Sequence, residues 1–215
     1  MRPKHTRDVW LAIVALGLPL ATSAAQAPDT ADVAFMRGMI GHHAQAVTMT
    51  AMIAERTTNP RFRLLGERIA VSQQDEIATM RRWLASRGMA EPAATGAQSH
   101  AQHGVQHGAH AMAHGDHAMM PGMLTPAELD SLAASRGTAF EQMFLRKMIR
   151  HHEGALAMVA ALFARTGAAQ DAEVFAFASD VDADQRAEIR RMTSMLDTRT
   201  TRRARPARVT RTTSP

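Results

Sequence analysis

An internal repeat constrains this chain more than any other feature of its sequence. The motif Phe-x-Arg-x-Met-Ile-x-His-His begins at Phe35 and recurs at Phe144, 109 residues later. The motif Gln-x-x-Glu-Ile-x-x-Met begins at Gln73 and recurs at Gln185, 112 residues later. Because both motifs recur in the same order, we interpret the chain as two copies of one structural unit.

Both motifs have the periodicity of α-helices. In the first copy Phe35, Met39, His42, Ala46 and Met49 recur at alternating spacings of four and three residues, which places them on one helical face. The second copy and the two Gln-containing motifs have the same periodicity. The sequence therefore predicts an all-α protein, a four-helix bundle in which two repeated helical hairpins pack together.

Capping signals indicate where the predicted helices begin. Asn59-Pro60 combines a good N-cap residue with a proline at the first helical position. Thr125–Glu128 and Thr138–Glu141 both have the spacing of a capping box, in which a threonine and a glutamate cap one helix start reciprocally. We expect Gly137 to lie between a short helix and the long helix that carries the second His-His motif.

The two ends of the chain differ from its body. Residues 1–25 are typical of a signal peptide, with a basic start, an apolar run of twelve residues and small residues before a cleavage site near Ala25. Twelve apolar residues are too few to span a bilayer. We therefore expect export to the periplasm or the medium, and no stable membrane insertion after cleavage. Residues 198–215 contain six arginines and no acidic residue, which predicts a disordered basic tail.

The body of the chain divides into two hairpins and a linker. We expect the first hairpin over residues 29–88 and the second over residues 124–197, joined in one bundle domain. Residues 89–123 are rich in Gly, Ala, Gln and His and have no apolar periodicity. This composition predicts a flexible, disordered linker.

Charge and composition exclude several classes of protein. The two ends carry net charges of +2 and +6, so the total of +5 leaves residues 26–198 with a net charge of −3. A nucleic-acid-binding face on the body is therefore not expected. The chain has no cysteine, which excludes disulfides, thiolate metal sites and cysteine nucleophiles. The sequence leaves open whether the chain forms a homo-oligomer.

Eight polar residues lie on helical stripes that should be buried. Buried polar groups must pair with one another, with water or with a metal ion. One interpretation is a hydrogen-bonded layer that sets the register of the helices. We expect the two His pairs at pseudo-twofold-related positions, with each Glu in hydrogen-bond reach of a His. The residues are His42, His43, Gln73, Glu76, His151, His152, Gln185 and Glu188.

A second interpretation is that the layer binds copper. Imidazole and thioether groups are both suitable copper ligands, and methionines flank the His pairs in both copies. Methionine at helical spacing is also a common core residue, so core packing alone explains the same pattern. The candidate ligands in the bundle, besides the four His and two Glu of the layer, are Met39, Met49, Met80, Met148, Met158 and Met192.

The linker is a separate candidate metal-binding region. It places six His and four Met within 24 residues, more than solvation alone requires. We expect Cu(I) to favour sites made of Met and His, and Cu(II) to favour the His-rich linker. The linker residues concerned are His100, His103, His107, His110, His114 and His117, with Met112, Met119, Met120 and Met123.

The sequence lacks the motifs of common enzymes. Ferritin-like di-iron sites need Glu-x-x-His pairs, and no Glu here has a His three residues later. The zinc-protease helix, the phosphate-binding loop, the dinucleotide fingerprint and Gly-x-Ser-x-Gly are also missing. We therefore expect a non-enzymatic metal-binding protein. Two alternatives stay open, a ferritin-type metal-dependent oxidoreductase and a structural or interaction bundle.

The doubled Met-Ile-x-His-His motif, each copy followed by Gln-x-x-Glu-Ile-x-x-Met, resembles the family catalogued as domain of unknown function 305 (DUF305). The resemblance covers residues 31–87 and 124–197. It implies a ferritin-like helical bundle, frequent export and copper binding, because the family includes periplasmic copper-binding proteins. It also implies that the His pairs and the methionines around them are copper ligands, in a protein of copper buffering or copper tolerance.

Overall fold

The structure is a computed structural model that describes residues 30–89 and 119–204, with side chains as far as residue 198. The predicted signal peptide and the six linker histidines lie outside the described residues, as does the end of the basic tail. The described part of the chain contains no strand and six helices, namely α1 (Thr30–Ala51), α2 (Ile53–Arg56), α3 (Pro60–Ser86), α4 (Pro126–Ala134), α5 (Gly137–Ala164) and α6 (Ala172–Ala204).

The four long helices form a four-helix bundle, as the sequence predicts. Helix α1 packs along α3 within the first hairpin, α5 packs along α6 within the second, and contacts between α1 and α5 join the hairpins. Helix α2 follows α1 after a single residue, Met52, and α4 is a short helix before α5. Within the described ranges, no helix is both long and apolar enough to cross a membrane.

Two apolar clusters fill the bundle, one on each side of its middle. The first lies around Phe35, Trp83 and Phe177, and the second around Phe62 and Phe144. Phe62 and Phe144 meet edge to face with their ring centroids 5.2 Å apart, a geometry that the aromatic quadrupole favours. Truncating a fully buried Phe to Ala typically costs about 3–5 kcal/mol. These clusters therefore supply much of the stability that holds the layer between them.

Two of the predicted helix starts are confirmed. The Asn59 side chain accepts a hydrogen bond from the backbone N–H of Arg61, and Pro60 is the first residue of α3. At α4, the Thr125 hydroxyl accepts from the backbone N–H of Glu128 at 3.2 Å, and the Glu128 carboxylate accepts from the backbone N–H of Thr125 at 2.9 Å. These bonds satisfy N–H groups that have no partner inside the helix.

The predicted capping box at Thr138–Glu141 is wrong. Gly137, which we expected between two helices, is the first residue of α5, and the start of this helix has no side-chain cap. Glu141 is instead buried, where its carboxylate accepts hydrogen bonds from the Thr57 hydroxyl and the Asn59 side-chain amide. The residue therefore links the connection between α2 and α3 to α5, because the buried Thr57 hydroxyl and the half-buried Asn59 amide both donate to its oxygens.

The last five residues of the predicted linker belong to the folded structure. Residues 119–123 lie outside the helices but pack against the bundle, where the Pro121 carbonyl meets His42 and Gly122 meets Gly154. Apolar periodicity could not reveal this packing, because backbone atoms make these contacts. Met89, the first residue of the predicted linker, packs against the first apolar cluster, and residues 90–118 lie outside the described residues.

Helix α6 is longer than predicted. Its described part extends to Ala204, so the first seven residues of the predicted tail, 198–204, are helical. This stretch contains no Gly or Pro, and arginine is a good helix former.

Candidate functional site

The eight polar residues that the sequence places on buried stripes form one layer between the two apolar clusters. The four histidines, two from α1 and two from α5, have at most 1% of their surface exposed. The amides and carboxylates come from α3 and α6, so all four long helices contribute. The layer consists of His42, His43, Gln73, Glu76, His151, His152, Gln185 and Glu188.

Each glutamate of the layer bonds to one histidine, as predicted. Nε2 of His43 donates a hydrogen bond to Oε2 of Glu76, and Nε2 of His152 donates to Oε2 of Glu188 at 2.5 Å. The carboxylates keep some contact with solvent, with 13% and 10% of their side-chain surfaces exposed. Each pair joins the two long helices of its own hairpin.

The other two histidines meet where the hairpins contact each other. The rings of His42 and His151 have centroids 3.9 Å apart and planes tilted by 41°. Nε2 of His42 donates a hydrogen bond to the backbone carbonyl of Pro121, 3.0 Å away. Neither contact was predictable from the sequence, because periodicity assigns a residue to a helical face and not to a partner.

Each of the four histidines keeps one buried ring nitrogen without a hydrogen-bond partner among the described residues. Two glutamine side-chain oxygens of the layer are also buried without a hydrogen-bond partner among the described residues. A buried polar atom left unpaired costs about 1–3 kcal/mol, so a bound ligand or water is the usual reason for such a group. The six atoms are Nδ1 of His42, His43 and His152, Nε2 of His151, and Oε1 of Gln73 and Gln185.

The layer holds its two central histidines in the neutral form. Burial, with smaller contributions from His43 and His152, lowers the pKa of His42 from 6.5 to about 4, although the hydrogen bond to Pro121 acts in the opposite direction. The pKa of His151 is lowered well below its ordinary value, mainly by burial and then by His42. Both rings therefore offer a lone pair at neutral pH.

The predicted thioether ligands lie on both sides of the layer. Five of the six methionines are fully buried, and the sixth, Met158, is partly buried close to Gly38 of α1. This burial equally fits core packing, the alternative that the sequence leaves open. The five fully buried residues are Met39 and Met80 in the first cluster, and Met49, Met148 and Met192 in the second.

The bundle does not present a closed set of charged or imidazole ligands. In residues 30–89 and 119–204, no three His, Asp or Glu side chains converge so that they could hold one metal ion. The imidazoles lie in two neighbouring pairs instead, His42 with His43 and His151 with His152. Imidazole and thioether donors together are the ligand types that suit a soft cation such as Cu(I). The role of the six linker histidines stays a prediction.

Most of the chain matches a known family. Residues 32–207 match the family model of DUF305, a domain of unknown function. The chain belongs to the DUF305 family. The match spans both repeats and therefore both His pairs, which confirms the resemblance seen in the doubled motifs.

Solved structures share the fold of this DUF305 protein. A DUF305 fragment from Deinococcus radiodurans is 29% identical to it, with a TM-score of 0.63 over 80% of this chain and 98% of that chain. A DUF305 protein of Streptomyces coelicolor, described as secreted, is 28% identical, with a TM-score of 0.62 over 79% and 94% of the two chains.

CopM is a further similar structure. Its Cu(II)-bound form is 27% identical, with a TM-score of 0.58 over 78% of this chain and 96% of CopM. Its Cu(I)-bound form is 25% identical, with a TM-score of 0.54 and the same coverage. A viral protein, uncharacterized protein L153 of Acanthamoeba polyphaga mimivirus, is 45% identical over 49 residues. That match spans 23% of this chain and about a third, 32%, of the viral protein.

Proposed function

We propose that this DUF305 protein is an exported copper-binding protein that buffers copper through the histidines of its central layer. One observation carries the proposal. Four buried imidazoles each keep one ring nitrogen without a hydrogen-bond partner among the described residues. The proposed role is binding and buffering rather than catalysis.

The hydrogen bonds around the layer orient the rings in the way that metal ligands are oriented. A carbonyl or a carboxylate oxygen only accepts, so the ring nitrogen that faces it carries the proton. Pro121 accepts this proton from His42, and the two glutamates accept it from His43 and His152. The lone pair is then on Nδ1. Metal-ligating histidines almost always have this arrangement, with the second nitrogen donating to a carboxylate or carbonyl.

The depressed pKa values favour metal binding at neutral pH. A metal ion must displace the proton of a charged imidazole, so a high pKa weakens binding. His42 has a pKa of about 4, and the pKa of His151 is also lowered, so protons do not compete at pH 7. Thioethers such as Met39 and Met148 near the layer favour Cu(I) over harder ions.

Similarity to solved structures supports the proposals that the protein binds copper and that it is exported. CopM has been solved with Cu(I), Cu(II) and silver bound. The Streptomyces coelicolor relative is described as secreted, and residues 1–25 of this chain are typical of a signal peptide. We place the mature protein in the periplasm or outside the cell, with the His-rich linker as a weaker site that prefers Cu(II).

A purely structural layer is the second candidate. Two of the four histidines are bonded to carboxylates, and the described residues contain no three converging His, Asp or Glu side chains. A hydrogen-bonded layer of this kind can set helix register without any ion. Under this alternative, replacing His42 and His151 changes stability and leaves metal binding as it was.

Copper retention by the mature, untagged full-length protein separates the two candidates. We expect the wild-type protein to keep copper against a chelator that strips the linker, and a His42→Gln/His151→Gln double variant to lose it. Glu67→Gln, on an exposed position of α3, is the matched control and should keep copper. Circular dichroism shows whether the variants are folded. Equal retention by the folded double variant would refute the layer as a copper site.

Export is tested by the N-terminus of the protein recovered from the cell envelope or medium. If cleavage follows Ala25, the mature chain begins at Gln26, and mass spectrometry of the intact protein shows it directly. A full-length chain that stays with the cytoplasmic fraction would contradict export. This outcome would leave the copper experiment untouched.

A further inference from the structure

Residues 119–124, here called the strap, connect to both hairpins just before α4. The side chain of Gln45 on α1 holds the strap by two hydrogen bonds. Its Nε2 donates to the Leu124 carbonyl at 2.9 Å, and its Oε1 accepts from the Leu124 backbone N–H at 2.7 Å. The strap also turns on itself, since the backbone N–H of Met123 donates to the carbonyl of Met120.

On α5 the strap lies directly on the helix backbone. A Cβ atom at Gly154 would lie 1.9 Å from the Pro121 carbonyl oxygen and 2.7 Å from Cα of Gly122. A Cβ atom at Gly122, whose φ is +76°, would lie 2.5 Å from the carbonyl oxygen of Arg150. Two glycines thus permit a backbone-to-backbone contact that no other residue pair would allow.

The two residues that hold the strap occupy equivalent positions in the repeat. Gln45 and Gly154 are each the third residue after the first His of their motif. A glycine inside a helix costs about 1 kcal/mol relative to alanine, so Gly154 weakens α5 unless its contact compensates. The strap therefore contacts α1 and α5 at an aligned position where the duplicated helices differ, and only His42 of the two central histidines bonds to it.

The Pro121 carbonyl, presented by the strap, is the acceptor for Nε2 of His42. In the two His–Glu pairs, carboxylates on α3 and α6 accept the Nε2 proton in the same way. We propose that the strap is the positioning element of His42, which holds its ring in the Nε2–H tautomer and so selects Nδ1 as the nitrogen available to copper. The copper part of this inference rests on the proposed function, whereas the tautomer part does not.

A test of the positioning uses the metal-free full-length protein. Nitrogen–proton correlation spectra of the imidazoles report which ring nitrogen carries the proton and whether it is hydrogen-bonded. For wild-type His42 we expect a single Nε2–H tautomer that exchanges slowly with water. In Gly154→Ala the new Cβ must displace Pro121, so His42 should lose the bond and show mixed tautomers. Gln45→Ala, which removes the Leu124 bonds without adding an atom, should have the same effect.

A matched glycine replacement controls for helix effects. At Gly38 a Cβ atom would meet Cε of Met158 at 3.4 Å and Sδ of the strap residue Met120 at 3.5 Å, both ordinary contacts with the ends of flexible side chains that displace no backbone of the strap. Gly38→Ala should therefore leave the His42 tautomer unchanged. A single Nε2–H tautomer of His42 in folded Gly154→Ala and folded Gln45→Ala proteins overturns the inference.

Copper affinity supplies the second readout. Loss of an outer partner of a ligating His typically weakens metal binding by about 10–100-fold, and we expect this for Cu(I) in Gly154→Ala and Gln45→Ala. Unchanged Cu(I) affinity with an altered tautomer overturns the selection of Nδ1 for copper. If copper binding by the wild-type protein does not depend on His42 at all, the proposed function fails. The tautomer spectra still decide whether the strap positions the ring.

Discussion

His42 and His151 pack against each other where the two hairpins meet, with their ring centroids 3.9 Å apart. Within each repeat, the two neighbouring histidines have the same geometry, with centroids 6.3 Å apart and planes at 58° in both copies. The duplication therefore places two equivalent His pairs around one axis. The two central rings cannot both be charged, because two charged imidazoles at this distance would repel each other.

Replacing Glu76 with Ala should destabilise the bundle by about 1–3 kcal/mol, because it leaves the buried Nε2–H of His43 without its acceptor. Glu76→Gln should cost less, since the amide oxygen still accepts a hydrogen bond. Urea unfolding of the metal-free protein measures both changes. The control Glu67→Ala, at an exposed position of the same helix, should change stability by at most about 0.5 kcal/mol. Equal effects at the two positions would contradict the role of the pair.

Two deletions separate the linker from the strap. Removing residues 98–118 should abolish several weak Cu(II) equivalents, which in the intact protein are lost as the pH falls through about 6.5. Cu(I) binding should stay. Removing residues 98–123 deletes most of the strap as well and should also weaken Cu(I). Equilibrium dialysis with copper analysis gives both results. Unchanged Cu(II) stoichiometry after the shorter deletion would refute metal binding by the linker.

The corrected role of Glu141 gives a further test. Glu141→Ala should destabilise the protein by about 1–3 kcal/mol, because the Thr57 hydroxyl and the Asn59 amide lose their buried acceptor. Thr138→Ala should stay within about 0.5 kcal/mol, since Thr138 is exposed and does not cap α5. Thermal or urea unfolding of the two variants checks the contrast. The reverse order of effects would restore the capping box.

The sequence predicted the contacts that follow from helical periodicity and repetition. His43 lies on the face of α1 that points into the bundle, and Glu76 lies on the corresponding face of α3. A contact between them therefore required only that the two helices form a hairpin. The repeat then implied the same contact between His152 and Glu188. These predictions needed no knowledge of loops, and the structure confirms them.

The strap could not be predicted, because its contact with α5 depends on the absence of side chains at two glycines, and its contacts with α1 join residues far apart in the sequence. A glycine inside a helix, such as Gly154 in α5, can have several causes that the sequence does not distinguish. Only the close approach of the Pro121 carbonyl shows why a glycine is needed there. The surroundings of residues 119–123 are rich in His and Gly, and composition assigned them to the linker. The pairing of His42 with Pro121 is likewise non-local, because the partners are 79 positions apart in the sequence.

Acidification should destabilise the metal-free bundle well above the range in which its carboxylates titrate. The pKa of His42 is about 4 in the folded protein, whereas an unfolded chain protonates histidine near pH 6.5. Between these values the unfolded state binds more protons than the folded state, so stability rises with pH and is lost as the pH falls from about 6.5 to 4. His151 shifts in the same direction.

The size of this loss follows from the shift. One pKa unit corresponds to about 1.4 kcal/mol, so His42 alone accounts for about 3 kcal/mol over the full window. Urea unfolding at pH 7, 5.5 and 4.5 measures the slope and stops before most carboxylates protonate. His42→Gln keeps a donor for Pro121 but does not titrate. In this variant the slope of the unfolding free energy against pH should correspond to about one fewer proton taken up on unfolding. A flat profile in the wild type, or the same slope in the variant, would show that the layer does not hold His42 neutral, and copper binding would lose the free Nδ1 lone pair on which it depends.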